Sequence, residues 1–371
     1  MANFATGLGS GVGAGFEPGC GHGSGSDASA FPYSRDEVLR RAFAGGLERL
    51  LRDEPGLGPY ILVLNNALID AVVARKLGAE LARRFEALSA RCLAAAAGGT
   101  DLAEPPDDES VFRALMALGY SSIEPVRERN AGDWRLQFNQ VRALRPTRSA
   151  GAAPSTNRAS FDSRGFHFDK PFLRKEAFWE GAVGGVDVEL LYNKFPFASH
   201  HALLVPERGA HRPQWLQPGD HALAWGLAES AGVAGFGIGY NSYGAYASVN
   251  QLHFHVFADA DPLPIEQLQW RHNGGVRPFP AGCLMSTEAD AAWQRIDAMQ
   301  RAGFSFNLLY RPGRMFCLPR LRQGEQRLPD WCGGLAWFEL CGAFVITERE
   351  SFERLGAAEL AALLATSTPQ A

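Results

Sequence analysis

The sequence predicts a mixed α+β fold in which helices come first and short strands follow. Between residues 34 and 118, apolar side chains recur at helical spacing. From about Asp133, short runs either alternate apolar and polar residues or are continuously apolar, as strands do. The last third of the chain then echoes part of this strand pattern. A run of helices followed by a run of strands is typical of the α+β class.

Composition and charge restrict the class of protein. The chain has 371 residues, of which 46% are hydrophobic and 20% are charged. This is enough for two domains, or for one two-lobed unit with a substantial core. The formal net charge is −4, so no overall basic field would attract nucleic acid or an anionic membrane. A small anionic ligand remains compatible, because a local pocket need not share the overall charge.

The cysteines and the N-terminus indicate the cell compartment. The six cysteines are scattered without a C-x-x-C pair, which disfavours both a zinc knuckle and a disulfide framework. The first residues lack the basic and apolar regions of a signal peptide, and no stretch approaches the roughly 20 apolar residues of a membrane span. We therefore expect a cytoplasmic protein with reduced thiols and no membrane partner.

Residues 1–33 are rich in Gly, Ser and Ala, and we expect them to form a disordered tail. Their glycines do not indicate a phosphate-binding loop, because no strand precedes them and no G-K-[ST] follows. Ser34 and Glu37 form a capping-box pattern that predicts the start of a helical N-terminal region over residues 34–128. We expect this region to be an addition to the catalytic unit rather than a part of it. The helices predicted in it are 38–51, 71–97 and 111–118.

The remaining chain is predicted to form two halves, residues 129–262 and residues 263–371. The pattern L-L-Y at 190–192, followed by L-L-V-P, is echoed by L-L-Y at 308–310, followed by F-C-L-P. This echo favours a duplicated α+β unit in which only the first copy keeps its histidines, with a chance match as the alternative. The predicted strands are 134–141, 186–192, 202–205, 236–240, 252–257 and 338–346, and the predicted helices are 219–231, 287–302 and 356–365.

The segment 251–257, Q-L-H-F-H-V-F, carries the strongest signal for chemistry. On a strand, alternate side chains share a face, so Gln251, His253 and His255 are predicted to lie together. Two neighbouring imidazoles are costly to bury without hydrogen-bond partners. A solvated face is one alternative. A metal site is another, with His201 as third ligand, but no Asp or Glu stands near in a ligand pattern.

Two neighbouring segments favour a phosphate ligand. The loop at 239–250, G-Y-N-S-Y-G-A-Y-A-S-V-N, combines small residues with hydroxyls and amides. Such a loop can place backbone N–H groups and the hydroxyl of Ser248 around a phosphate. Earlier in the chain, N-K-F-P-F at 193–197 leads to His200, His201 and a strand ending in L-L-V-P.

Together, N-K-F-P-F-x-x-x-H-x-L-L-V-P and N-S-x-G-A-x-A-S-V-x-Q-L-H-F-H-V resemble the histidine-triad nucleotide-binding superfamily. Within it, the sequence is most similar to the GDP-hexose phosphorylases, which act on GDP-L-galactose or GDP-D-glucose, and to their galactose-1-phosphate uridylyltransferase relatives. The resemblance runs over roughly residues 130–350. It implies antiparallel sheets with flanking helices, and a duplicated half as in the uridylyltransferases.

The resemblance also implies residue roles. His253 matches the histidine that becomes covalently nucleotidylated, and His201 matches a histidine near it. Ser248 matches a hydroxyl that contacts the phosphate or the leaving group, and Asn193 matches the position that meets the ribose. Asn241 matches an active-site amide. Further positions expected at the nucleotide, from their place in these segments, are Lys194, Arg142 and Gln251, with His255 available for proton transfer.

Two positions depart from the family pattern. The first histidine of the triad is Gln251 here, and in the uridylyltransferases that histidine helps to hold a structural metal. We therefore expect no metal site and no required cofactor, with a divalent cation such as Mg²⁺ left open. The third position is His255, where the phosphorylase and transferase branches usually carry glutamine and the hydrolase branches carry histidine. The final acceptor is therefore open between phosphate, a sugar phosphate and water.

The predicted function is nucleotidyl transfer, of the phosphorylase type, on a nucleotide sugar or a related pyrophosphate. One alternative is a hydrolase of dinucleoside polyphosphates or nucleotide conjugates, and another is a non-catalytic nucleotide-binding module. A role in DNA-end repair is disfavoured, because the sequence has neither a basic surface nor zinc fingers. The expected partners are a small-molecule nucleotide and phosphate or another acceptor, and a homodimer remains compatible.

Overall fold

The structure is a computed structural model that describes residues 30–146 and 154–369. The predicted tail therefore lies largely outside the described residues. At its end, however, a short 3-10 turn already forms at Pro32–Ser34. Tyr33 is fully buried, packs on Phe236 at 5.1 Å between ring centroids, and donates its hydroxyl to the carbonyl of His200. The packed chain thus begins before Ser34, because an aromatic side chain in this turn has a core to enter.

Four helices form the N-terminal region. The capping box predicted at Ser34 is wrong, since the N-cap of the first helix is Arg35, without a side-chain hydrogen bond. The second helix was not predicted, because it is buried almost all round and therefore lacks an amphipathic pattern. Asp70 caps the third by accepting from the backbone N–H groups of Val72 and Val73. The helices are α1 (Asp36–Asp53), α2 (Leu57–Ile69), α3 (Ala71–Gly98) and α4 (Pro106–Leu118).

An eight-stranded antiparallel sheet forms the centre of the fold, and its strand order is β3-β4-β5-β7-β6-β9-β10-β8. This confirms the predicted α+β class with antiparallel strands and flanking helices. The strands are β3 (Ala177–Val183), β4 (Val186–Tyr192), β5 (Ala202–Pro206), β6 (Phe236–Asn241), β7 (Phe254–Ala258), β8 (Leu284–Ser286), β9 (Ser305–Arg311) and β10 (Arg314–Arg320).

The order of this sheet contains a repeat, although not the one that the sequence echo indicated. Outward from the central β6–β9 pair, both sides have the same arrangement, β6-β7-β5 on one side and β9-β10-β8 on the other. Helix α5 (Pro218–Ser230) links β5 to β6, and helix α6 (Ala289–Arg301) links β8 to β9. The repeated unit is thus strand–helix–strand–strand. The L-L-Y echo instead aligned β4–β5 with β9–β10, because short apolar runs recur in any buried strand.

A smaller three-stranded sheet packs against one face of the large sheet, and helices α1–α6 pack against the opposite face. It comprises β1 (Arg127–Ala131), β2 (Trp134–Phe138) and β11 (Ala343–Ile346), with β2 and β11 parallel. The predicted strand 338–346 is therefore only partly correct, since the short helix α7 (Trp337–Leu340) occupies its first three residues. The C-terminal helices are α8 (Arg349–Arg354) and α9 (Ala357–Ala365).

The core divides along the two faces of the large sheet. On one face, Ile238 and Tyr240 of β6 pack in a cluster with α1–α6. On the other, Phe257 of β7 and Leu309 of β9 pack with Trp337 and the small sheet. Strand alternation places the side chain of His255 on the same side as that of Phe257. Within the described part of the chain, no helix combines the length and apolar composition needed to cross a membrane.

One buried ion pair ties β9 to the loop after β7. Arg311 donates to both carboxylate oxygens of Glu266, at 3.1 and 2.7 Å, and Arg314 adds a third bond at 3.1 Å. The side chains of Arg311 and Glu266 are each only 6% exposed. Removal of one partner from such a pair leaves an uncompensated buried charge.

We therefore expect Glu266→Ala to lower the free energy of unfolding by about 3–5 kcal/mol, measured by urea denaturation. The matched control is Asp297→Ala, which breaks the exposed pair between Asp297 and Arg301. This control is expected to cost no more than about 1 kcal/mol. Equal losses in the two variants would contradict the importance of burial at Glu266.

Candidate active site

A cavity of about 230 Å³ lies beside β4, β5 and the start of β7. It gathers most of the residues that the sequence analysis selected, although they are far apart in the chain. Two of the selected residues, His201 and Gln251, are buried and do not line it. The selected residues that line the cavity are Arg142, Asn193, Lys194, Asn241, Ser248, His253 and His255.

His253 is held by backbone contacts just before β7. Its Nδ1 lies 2.7 Å from the carbonyl oxygen of Gln251. Because a carbonyl only accepts, Nδ1 carries a proton, and in the neutral ring Nε2 therefore carries the lone pair. Gln214 fixes the main chain of His253, accepting from its N–H at 3.0 Å and donating to its carbonyl at 3.2 Å. The ring packs against Phe168, with centroids 5.1 Å apart.

Gln251 acts through its backbone, and its side chain points away from the cavity. The strand begins at Phe254, so the alternation that was expected to align Gln251 with the two histidines does not apply to it. Its amide oxygen accepts from the N–H of Phe168 at 2.7 Å, and its amide nitrogen donates to the carbonyl of Arg208 at 2.8 Å. These two bonds hold the carbonyl of Gln251 against His253.

His255 and His201 form a chain of hydrogen bonds with one consistent direction. The backbone N–H of Phe197 donates to Nδ1 of His201 at 3.4 Å. His201 therefore carries its proton on Nε2, which lies 2.9 Å from Nδ1 of His255. His255 in turn carries its proton on Nε2 and offers it as a donor. His201 thus fixes the tautomer of His255 from behind the cavity wall.

Burial keeps both of these imidazoles neutral. Desolvation lowers the pKa of His201 to about 3, and the charge of Arg142 adds to the effect. Desolvation also lowers the pKa of His255 well below its usual value, with further contributions from His201 and His253. Arg142 donates to the carbonyl of Phe195 at 2.6 Å. Burial lowers the pKa of Arg142 to about 9, so it remains a cation at neutral pH.

The amides of Asn193 and Asn241 present donors. The side-chain oxygen of Asn193 already accepts from the N–H of Phe195 at 3.0 Å. That of Asn241 accepts from Asn307 at 2.6 Å and from the N–H of Trp337 at 2.9 Å. Since both oxygens are occupied, each amide presents its nitrogen to a histidine, Asn193 at 3.3 Å from Nε2 of His201 and Asn241 at 3.5 Å from Nε2 of His255. Both of these ring nitrogens carry protons in the tautomers given above, so neither amide finds an acceptor there and both remain to donate to a ligand. Ser248 adds a hydroxyl on the exposed side of the cavity.

Lys194 lines the cavity, but two carboxylates share its charge. Its ammonium lies 3.0 Å from Asp108 and 3.4 Å from Glu176. Burial lowers the pKa of Lys194, but these carboxylates more than offset it, so that the net pKa is raised. Lys194 is thus a cation that joins α4 to the segment before β3, rather than a phosphate contact with a free charge.

One wall of the cavity consists of residues that the sequence did not predict. The start of α4 contributes Asp107 and Asp108, so the helical region is a part of the site and not only an addition to it. Phe166, Phe168 and Phe172 come from the irregular segment before β3. That segment has no periodic pattern, and the acidic run before α4 is typical of a solvated loop, so neither gave a signal.

The histidines of the site contact one another directly. Among residues 30–146 and 154–369, no group of three or more His, Cys, Asp or Glu side chains is placed to hold a metal ion. The nitrogens of His201 and His255 that face each other are joined directly at 2.9 Å. The third ligand considered for an ion, His201, is therefore a hydrogen-bond partner of His255.

The part of the chain that carries the histidines resembles a known protein family. Residues 135–257 match the family model described as the N-terminal domain of GDPGP1-like proteins. This segment is similar to that domain. It contains His201, His253 and His255, together with the cavity-lining Asn193 and Asn241.

The curated relatives are named as phosphorylases of GDP-hexoses. Human GDP-D-glucose phosphorylase 1 is 38% identical over 120 residues, which cover 30% of this chain and 30% of the relative. GDP-L-galactose phosphorylase 2 of Arabidopsis thaliana is 30% identical over 192 residues, which cover 45% of this chain and 44% of the relative. The chain thus spans less than half of the length of these relatives. The resemblance to GDP-hexose phosphorylases, predicted from the sequence, is confirmed.

Among solved structures, the yeast Ap4A phosphorylase Apa2 is similar over 71% of this chain and 95% of its own chain. The identity is 17% and the TM-score 0.48. The same enzyme in complex with AMP gives 18% identity and a TM-score of 0.45. At this level no residue role is transferred.

The neutral state of His201 predicts how stability depends on pH. In the unfolded chain a histidine gains a proton below about pH 6.5, whereas folded His201 stays neutral down to about pH 3. The unfolded state therefore binds more protons, and the free energy of unfolding falls as the pH falls below 6.5. From pH 7 to pH 5, His201 is expected to account for a loss of about 2 kcal/mol.

Denaturant unfolding at pH 5, 6 and 7 tests this for the wild type and for His201→Asn. The variant should show a shallower decline, because asparagine does not titrate. Comparison of the two slopes cancels the other titrating groups. A decline that is equally steep in the variant would contradict a neutral buried His201.

Proposed function

We propose that this protein is a nucleotidyl-transferring phosphorylase that acts on a nucleotide sugar of the GDP-hexose type. One observation carries the proposal: His253 lines the cavity, and the carbonyl of Gln251 fixes its proton on Nδ1. Its Nε2 then has the lone pair that a nucleophile needs. The names of the curated relatives support the substrate class.

The reaction proceeds in two displacements at one phosphorus atom. In the first, Nε2 of His253 attacks the α-phosphorus, an N–P bond forms, and the P–O bond to the β-phosphate breaks. The hexose 1-phosphate leaves with the electron pair of that bond. In the second, an oxygen of inorganic phosphate attacks the same phosphorus, the P–N bond breaks, and the nucleoside diphosphate is released. Two such steps replace one more difficult displacement.

Donors around the cavity stabilise the charge on the transferred group. The amide of Asn241, the hydroxyl of Ser248 and the Nε2–H of His255 can each donate to a phosphate oxygen. The amide of Asn193 is left for the ribose, the role that the family resemblance implies. Arg142 contributes a positive charge while it remains bound to the carbonyl of Phe195. Such donors, fixed in advance, cost little reorganisation when charge develops.

The protonation states favour phosphate over water as the acceptor. A departing phosphate monoester has a second pKa near 6, so it needs no proton at neutral pH. Inorganic phosphate likewise attacks through an oxygen that is already deprotonated, whereas water needs a base. His255 is poorly suited to be that base, since its Nδ1 is occupied by His201 at 2.9 Å. Hydrolysis remains the second candidate because an imidazole stands at this position.

His253→Ala is expected to lower kcat for phosphorolysis of a GDP-hexose by about 10⁴-fold or more, since the nucleophile is lost. Binding of GDP, measured by calorimetry, should remain detectable, because the donors around the phosphate are unchanged. His211→Ala is the matched control, since His211 does not line the cavity. Undiminished turnover in His253→Ala would rule out the nucleophile.

His255→Gln is expected to retain phosphorolysis within about 10-fold, because the glutamine amide can also donate to the phosphate. The share of hydrolysis should fall, because hydrolysis needs a base that takes a proton from water. An imidazole can act as that base whenever its hydrogen bond to His201 is broken, whereas an amide cannot. The measurement is the ratio of GDP to GMP among the products, with GDP-hexose as substrate and inorganic phosphate present. A ratio identical to that of the wild type would contradict this role of His255.

A further inference from the structure

Two neighbouring asparagines of α2 bind the turn that follows β4. The amide of Asn65 donates to the carbonyl of Lys194 at 2.8 Å, and that of Asn66 donates to the carbonyl of Asn193 at 3.1 Å. Asn65 is 5% exposed and Asn66 is 3% exposed. An amide side chain is costly to bury in an otherwise apolar helix unless it makes hydrogen bonds. These bonds are therefore a specific reason for asparagines at both positions.

The turn held in this way carries two residues of the cavity wall. The side chains of Asn193 and Lys194 line the cavity, while their carbonyls are bound by α2. Asn193 is also placed within the turn by the bond from the N–H of Phe195 to its amide oxygen. The position of its donating amide therefore depends on where α2 holds the main chain.

A second helix of the N-terminal region holds the same turn through a side chain. Asp108 of α4 accepts from the ammonium of Lys194 at 3.0 Å. The turn is thus fixed through its backbone by α2 and through its side chain by α4. Both helices precede residue 135, where the GDPGP1-like match begins.

We propose that Asn65 and Asn66 are positioning residues for nucleotide binding, and that through them the N-terminal helical region completes the candidate active site. The expected effect on KM rests on the proposed function. The turn carries a binding group, whereas the nucleophile His253 is held by Gln251 and Gln214. Loss of the asparagine amides therefore weakens substrate binding and leaves the chemical step in place.

The experiment compares Asn65→Ala and Asn66→Ala with the wild type. Alanine removes the donating amide and adds neither a charge nor another donor, so a carbonyl of the turn loses its partner. Each variant is expected to raise KM for the GDP-hexose by up to about 10-fold, because the turn is held by one buried hydrogen bond fewer. The value of kcat should stay within about 3-fold.

Val63→Ala serves as the control for a general loss of stability. Val63 is fully buried in the same helix, so this change lowers the melting temperature without removal of a bond to the turn. A purely structural role of the asparagines would make all three variants alike in KM once their stabilities are matched. That result would overturn the proposal.

Amide hydrogen exchange supplies a readout that does not need turnover. In Asn65→Ala and Asn66→Ala, the peptide that contains Phe195 and Phe197 should exchange faster than in the wild type, and in Val63→Ala it should not. If the wild type shows no phosphorolysis, the proposed function fails while the exchange still decides whether α2 positions the turn. Unchanged exchange in both asparagine variants would overturn the inference even if phosphorolysis is observed.

Discussion

The hydrogen bond from Nδ1 of His253 to the carbonyl of Gln251 is the interaction on which the candidate chemistry depends. It decides which ring nitrogen carries the proton, and so which one is nucleophilic. The carbonyl stays in place because the side chain of Gln251 is bonded to the main chain at Phe168 and at Arg208. The side chain of Gln214 holds the main chain of His253 through two hydrogen bonds. The reactive nitrogen is therefore oriented by groups that lie outside the cavity.

The charge and orientation of His201 and His255 are likewise set by the groups around them. Burial and the charge of Arg142 keep His201 and His255 uncharged, and the N–H of Phe197 sets the direction of their hydrogen bonds. The cavity thus presents N–H donors that other hydrogen bonds hold in place, while two carboxylates balance the charge of Lys194. Such an environment suits a reaction in which negative charge is redistributed over phosphate oxygens without obligatory proton transfer.

Much of the fold could be read from the sequence, because amphipathic helices and alternating strands leave periodic patterns. Helix α2 could not, since it is apolar on every side, and the true repeat could not, since it is a repeat of topology rather than of letters. For the site, the histidine motif predicted His253 and His255 at one cavity. The roles of Gln214 and Asp108 left no trace, because long-range contacts of single polar residues have no local signature. Gln251 was misplaced because strand alternation was assumed three residues before β7 begins.

The pairing of the strands has a consequence for the boundaries of the molecule. Strand β6 lies within the segment that matches the GDPGP1-like model, whereas β9, its neighbour at the centre of the large sheet, lies far beyond that segment. Strand β2, which begins one residue before the segment, likewise pairs with β11 far beyond it. Cut free, residues 135–257 would present a bare row of backbone donors and acceptors along β6, which invites self-association. A fragment with only these residues would contain the histidines, but it is expected to associate through this exposed edge. The segment that is recognisable in sequence is smaller than the sheets in which its strands are paired.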